Sequence, residues 1–192
     1  IGGGTTEVAV LSLGGTVLSE SVRIAGDEIN DAIAIYLKKV HNLVVGERTA
    51  EEIKIRIGSA FPDNDQDMKS MDVRGLHLLS GLPRSINLQT GDLREAMADP
   101  LNKIVEAVKR TLERTPPELA ADIADRGIML AGGGALVRGI SDLVSHETGI
   151  FTHVAEDPLL CVVNGCGQVL EDFKRLRRVL DTPDFARNSS TD

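Results

Sequence analysis

Apolar positions along the chain follow two rhythms, and the switches between them mark its elements. Val8 to Leu13 is an apolar, β-rich run, Gly14-Gly15 offers two residues tolerant of positive φ, and Thr16 to Ile24 resumes an extended pattern, so a hairpin is predicted. From Asp27 to Val40 the period lengthens, with Ile29, Ile33, Tyr36, Leu37 and Val40 on one helical stripe. TAEE from Thr49 reads as a capping box, in which the Thr49 hydroxyl and the Glu52 carboxylate satisfy amides at a helix start. Phe61-Pro62 is the expected end of that helix.

Met71 to Leu79 and Arg84 to Leu88 predict two strands joined by Ser80-Gly81-Leu82-Pro83. From Asp92, Leu93, Met97, Leu101, Ile104, Val108 and Leu112 recur at helical spacing until Thr115-Pro116-Pro117 stops them. A short helix around Glu118 to Ile123 follows, then the buried strand GIMLA, a glycine triplet, and a helix carrying Leu136, Val137, Ile140, Leu143 and Val144. A strand at Phe151 to Val154 and an apolar helix from about Pro158 to Leu180 complete the pattern, with a disordered tail expected at 182–192. Strand, glycine turn and helix in that order predict an α/β fold. Character changes near Gly26 and near Asp92, which suggests a subdomain inserted into a larger unit.

Composition narrows the function. With 192 residues, 42% hydrophobic and 26% charged, the chain can bury a core and lies far from the disordered regime. Its net charge of −8 and 3% aromatic content argue against nucleic-acid binding, which needs clustered cations and stacking rings. No apolar run approaches a membrane span and no signal peptide opens the sequence, so a cytoplasmic location is expected. Cys161 and Cys166 lack metal-ligand spacing and read as buried thiols.

Two glycine triplets carry the candidate chemistry. Gly2-Gly3-Gly4-Thr5-Thr6 precedes a strand, where a tight turn can converge several N–H groups on an anion and the threonines can add donors. Gly132-Gly133-Gly134 links a buried strand to a helix start, where free amides and the positive dipole end gather. The second triplet fits neither the P-loop nor the dinucleotide pattern, and each of the two could equally be a packing turn. Asp63, Asp65 and Asp67 lack the glycine and glutamate of a calcium loop, and the four histidines show no ligand spacing. The basic run Lys174-Arg175-Leu176-Arg177-Arg178 reads as a solvated helix end.

In order, IGGGTTEVAV, IAGDEINDAI, ERTAEEIKIRIG, GLPRSINL, GIMLAGGGALVRGI and EDPLLCVVNGCGQVLE resemble the C-terminal half of the MreB family of bacterial actin-like proteins. The resemblance implies a ribonuclease-H-like, actin/DnaK-type ATPase fold. Subdomain IIA would comprise 1–25 with 93–181, and an inserted α+β subdomain IIB would comprise 26–92. It implies that Gly2, Gly3, Gly4 and Thr5, with Thr6 as a further possible contact, grip the β- and γ-phosphates of ATP, with ATP or ADP and magnesium as the cofactors of the intact protein. Gly132, Gly133, Gly134 and Ala135 would lie against base and ribose, and Glu51 and Lys54 would line the adenine and ribose edge. Val162 to Gly167 would help form an interdomain hinge.

The implied function is ATP-dependent self-assembly into membrane-associated filaments that organise cell-wall synthesis and rod shape. The implied partners are the membrane proteins of that machinery and the inner membrane face, the latter through the other half. In the family an Asp before the first isoleucine, a first phosphate loop and a catalytic carboxylate complete the site, so weak or no hydrolysis and poor ATP binding are expected of this chain alone. A DnaK-type chaperone, a small-molecule kinase of the same superfamily and a non-enzymatic interaction module are the rival readings.

Overall fold

The computed structural model describes residues 1–62, 68–174 and 176. Two strands, β1 (Thr6–Ser12) and β2 (Gly15–Val22), form the opening antiparallel hairpin. Its turn lies one residue earlier than the glycine pair suggested: Leu13 (φ 50°) and Gly14 (φ 77°) both take the left-handed conformation. A two-residue hairpin turn needs positive φ at both central positions to match strand twist, and Leu13 accepts it while fully exposed.

Helix α1 (Gly26–His41) buries Ile29, Ile33 and Leu37, whereas Val40 is exposed because the last turn projects past the core. Strand β3 (Leu43–Val44) and helix α2 (Glu47–Ile57) follow. The capping box expected at Thr49 is not formed. The helix starts three residues earlier, with Gly46 instead of Thr49 as its N-cap, and Thr49 sits inside it, its amide bonded to the Gly46 carbonyl. Gly58 ends the helix, three residues before Phe61. The aspartates of the rejected calcium loop, 63–67, lie outside the described residues.

Strands β4 (Ser70–His77) and β5 (Pro83–Gln89) pair antiparallel, and β3 adds to the edge of β4. Helix α3 (Thr90–Glu113) begins two residues before Asp92, whose carboxylate accepts the Gln89 amide at 2.9 Å. Asp92 is therefore a cap, an acid favoured at the positive end of a helix. Helix α4 (Pro117–Arg126) starts on a proline, whose missing N–H has no partner to lose there. Strand β6 (Ile128–Leu130) runs parallel to β7 (Thr152–Val154), with helix α5 (Ile140–Thr148) between them in sequence. The triplet Gly132–Gly134 does not lead directly into α5. It opens a single 3₁₀ turn, Gly133–Leu136, so Leu136 and Val137 precede the helix they were expected to join.

The main core joins α1, α2 and the sheet β3–β4–β5 to the start of α3 and to Leu130, Ala135, Val137 and Ile140. Packing is thus continuous across the sequence boundaries at Gly26 and Asp92. A second, smaller cluster gathers Val105, Val108 and Val144 between α3 and α5. The β1–β2 and β6–β7 pairs form separate sheets with a cleft of about 700 Å³ between them, lined by both edges and by α3 and α4. Helix α6 (Cys161–Glu171) carries no buried residue. The expectation of buried thiols fails for that reason: Cys161 is half-exposed and Cys166 exposed, because no other described element covers α6.

Candidate functional site

The first glycine turn is built as the missing partner of a helix start. The Gly26 and Asp27 amides, orphans of the first turn of α1, donate to the carbonyls of Gly2 (3.0 Å) and Gly3 (2.9 Å). In a trans peptide the carbonyl of one residue and the N–H of the next point opposite ways. With the Gly2 and Gly3 carbonyls on α1, the N–H groups of Gly3 and Gly4 therefore face away from it. Gly2 N–H donates to the Thr5 carbonyl at 2.9 Å, which closes the turn. The amides of Gly3, Gly4 and Thr5 have no partner among the described residues. All three residues are exposed.

The second triplet is packed tightly against Ile1. Gly132 has φ 87° and ψ 169°, a region open essentially to glycine alone, and a Cβ there would strike the Ile1 carbonyl. Gly132 N–H donates to Pro158 at 2.7 Å and Gly134 N–H to Ile1 at 3.0 Å. A Cβ on Gly134 would run into the Ile1 side chain. Gly133 is the exposed member, and its amide has no partner among the described residues.

Helix α2 supplies the remaining wall. The i, i+3 spacing of Glu51 and Lys54 brings both to the groove. Lys54 Nζ donates to the Gly26 carbonyl at 3.1 Å. Burial lowers the Lys54 pKa, and the nearby Glu51 and Asp27 carboxylates partly offset that. Asp27 lies over the first turn, where a Cβ on Gly3 would come 3.5 Å from its carboxylate.

These groups surround one groove of about 440 Å³, a size ordinary for a small-molecule site. Of the sequence candidates, Gly2, Gly3, Glu51, Lys54, Gly133 and Gly134 line it. Gly4 and Thr5 are exposed and outside the lining. Three candidates are placed elsewhere. Thr6 is buried in β1 and its hydroxyl donates to the Ile24 carbonyl at 2.7 Å, so its one proton is already engaged. Gly132 is held against Ile1, and Ala135 is buried behind the turn. Gly26, Asp27 and Leu159 line the groove without having been singled out. Asp27 had a signal, an acid directly after glycine at a helix start, but its approach to Gly3 is a tertiary contact. Of the basic run, Lys174 is exposed, and Arg175, Arg177 and Arg178 lie outside the described residues, as does 182–192. Among the described residues no three His, Cys, Asp or Glu side chains gather as a metal cluster, and no helix is long and apolar enough to cross a membrane.

Residues 1–178 match the family model for MreB/Mbl protein. The chain is 51% identical over 171 residues to the cell shape-determining protein MreB of Escherichia coli K12, covering 89% of this chain and 49% of that protein. To the cell shape-determining protein Mbl of Bacillus subtilis 168 it is 44% identical over 176 residues, covering 92% and 52%. The chain thus spans about half the length of these relatives. Crystalline MreB5 of Spiroplasma citri bound to ADP superposes with a TM-score of 0.86 at 36% identity, over 91% of this chain and 53% of that one. The backbone accordingly has the actin-like ATPase fold.

Proposed function

Because the chain belongs to the MreB/Mbl family, we propose that its groove is one wall of an ATP site and that the longer protein couples nucleotide binding to filament assembly in support of rod cell shape. The observation that carries this reading is the placement of the unpartnered Gly3 and Gly133 amides on one groove. Phosphate oxygens need donors, and the N–H groups of Gly3, Gly4 and Thr5 offer three in sequence without a positive side chain. A nucleoside lies against the Gly133 backbone, with Glu51 as acceptor for its hydroxyl or amino groups. The Spiroplasma relative's bound ADP supports the nucleotide class.

Magnesium, in this reading, rides on the phosphates and on water, the usual habit of a cation that dehydrates reluctantly. No residue of this chain is assigned as the base for hydrolysis. The larger unit, 1–25 with 93–181, and the insert 26–92 form the groove's two sides. The relatives are named for cell shape, not for protein folding or sugar phosphorylation, which favours self-assembly over the chaperone and kinase alternatives. Partners in cell-wall synthesis and contact with the inner membrane face belong to the same proposal.

Calorimetric titration of the longer protein tests the nucleotide reading: saturable ATP binding, competed by ADP, is expected, and no heat at millimolar ATP overturns it. Electron microscopy of the longer protein with and without ATP tests assembly, with ATP-dependent filaments as the expected result.

A further inference from the structure

The groove's two glycine turns are about 130 residues apart in sequence, and the last turn of α2 lies between them. On one side Lys54 Nζ holds the Gly26 carbonyl, while the Gly26 amide holds the Gly2 carbonyl. One hydrogen bond therefore separates α2 from a residue that is itself bonded to the first turn. The joint is close-packed, since a Cβ on Gly26 would stand 3.2 Å from the Gly2 carbonyl oxygen and 3.5 Å from Lys54 Nζ.

On the other side stands Arg138, on the segment that leaves the second turn. Its Nε donates to the Gly58 carbonyl at 3.0 Å and its Nη2 to the Ile57 carbonyl at 3.3 Å. Its own carbonyl accepts the Ala60 amide at 2.7 Å. A helix C-terminus presents carbonyls without intrahelical partners and a partial negative charge, and a guanidinium fork answers both. The next residue, Gly139 (φ 71°), approaches Phe61 so closely that a Cβ would lie 3.0 Å from its backbone nitrogen. Arg138 does not line the groove.

We propose that Lys54 and Arg138 are positioning residues that clasp the last turn of α2 between the two glycine turns and so set the width of the groove. The functional consequence rests on the nucleotide reading above, whereas the clasp itself does not. A ligand that touches both turns gains from simultaneous engagement only when their separation matches its own length. A ligand confined to one turn is indifferent to that separation.

The test is Arg138→Met in the longer protein, titrated with ATP, with tripolyphosphate as a probe of the first turn alone, and with adenosine as a probe of the second. ATP affinity is expected to fall about tenfold, while the two part-ligands change by less than about twofold; Arg138→Lys, which keeps one donor, should recover about a third of the loss. An equal fall for ATP and either part-ligand overturns the proposal, as does wild-type ATP affinity in the variant. Without ligand, hydrogen exchange at Gly58 and Ala60 in Arg138→Met, and at Gly26 in Lys54→Met, should quicken about tenfold, with remote α5 amides unchanged. Unchanged exchange at these sites refutes the clasp. If the longer wild-type protein binds neither ATP nor tripolyphosphate, the nucleotide reading fails, and the ligand-free exchange still decides the clasp. Should Arg138→Met fail to fold, Arg138→Lys and Lys54→Met carry the same exchange test.

Discussion

Gly2–Gly4 and Gly132–Gly134 share a composition, yet in the first turn two of the three carbonyls are engaged and two amides left over, while in the second two of the three amides are engaged. The Gly2 and Gly3 carbonyls complete the start of α1. By contrast, the Gly132 and Gly134 amides are bonded to Pro158 and Ile1, and the missing side chains leave room for Ile1. In the first turn Gly3 and Gly4 are exposed, and a Cβ on either would meet only the Asp27 carboxylate, at 3.5 Å or more. In the second, Gly132 and Gly134 are needed for internal packing and only Gly133 faces out. A run of glycines thus does not say whether its amides are available; their hydrogen-bond partners do.

That contrast can be broken most severely at Gly132. Gly132→Ala combines a forbidden backbone region with a clash against the Ile1 carbonyl, and urea unfolding should show a loss of about 3 kcal/mol. Near-wild-type stability would mean that the packing role is wrong. Gly3→Ala should do the reverse: a Cβ 3.5 Å from the Asp27 carboxylate is an ordinary contact, so stability should move by less than about 1 kcal/mol. If the proposed phosphate contact is right, the ATP affinity of this variant of the longer protein, measured by calorimetry, should nonetheless fall about tenfold, worth about 1.4 kcal/mol.

Adjacent threonines sharpen the same point. Thr6→Val deletes the buried hydroxyl bonded to Ile24 and should cost about 1 kcal/mol of stability with tripolyphosphate affinity unchanged. Thr5→Val at the exposed rim should leave the thermal midpoint in place. The smallest effect concerns pH. Lys54 holds its proton less firmly folded than unfolded, where its pKa is 10.5, so the unfolded chain binds more protons between the lowered value and 10.5. Stability should therefore rise with pH through that window on account of this group, and the urea midpoint of Lys54→Met should lack the increment.

Legibility in the sequence followed the range of the interactions. The stripe of Ile29, Ile33 and Leu37 and the run from Leu93 to Val108 depend on a 3.6-residue period, and both helices formed where the period placed them. The capping box at Thr49 was a local signal that lost to Gly46, since α2 could extend by three residues. The thiols of Cys161 and Cys166 looked buried because α6 is apolar, but apolar composition does not supply a covering surface. Arg138 carried no sequence signal: its partners at Ile57 and Gly58 lie some 80 residues away.

By itself, then, the sequence determined the α/β order of elements, most helix and strand positions and the family resemblance carried by six ordered motifs, all of which depend on neighbours or on a few linked residues. Only the tertiary structure decided which glycine amides stay unpartnered, that Thr6 faces inward, and that Asp27 and Lys54 meet at the first turn. A hydrogen bond has one donor and is satisfied once. Which distant carbonyl takes it is settled only when the whole chain has packed.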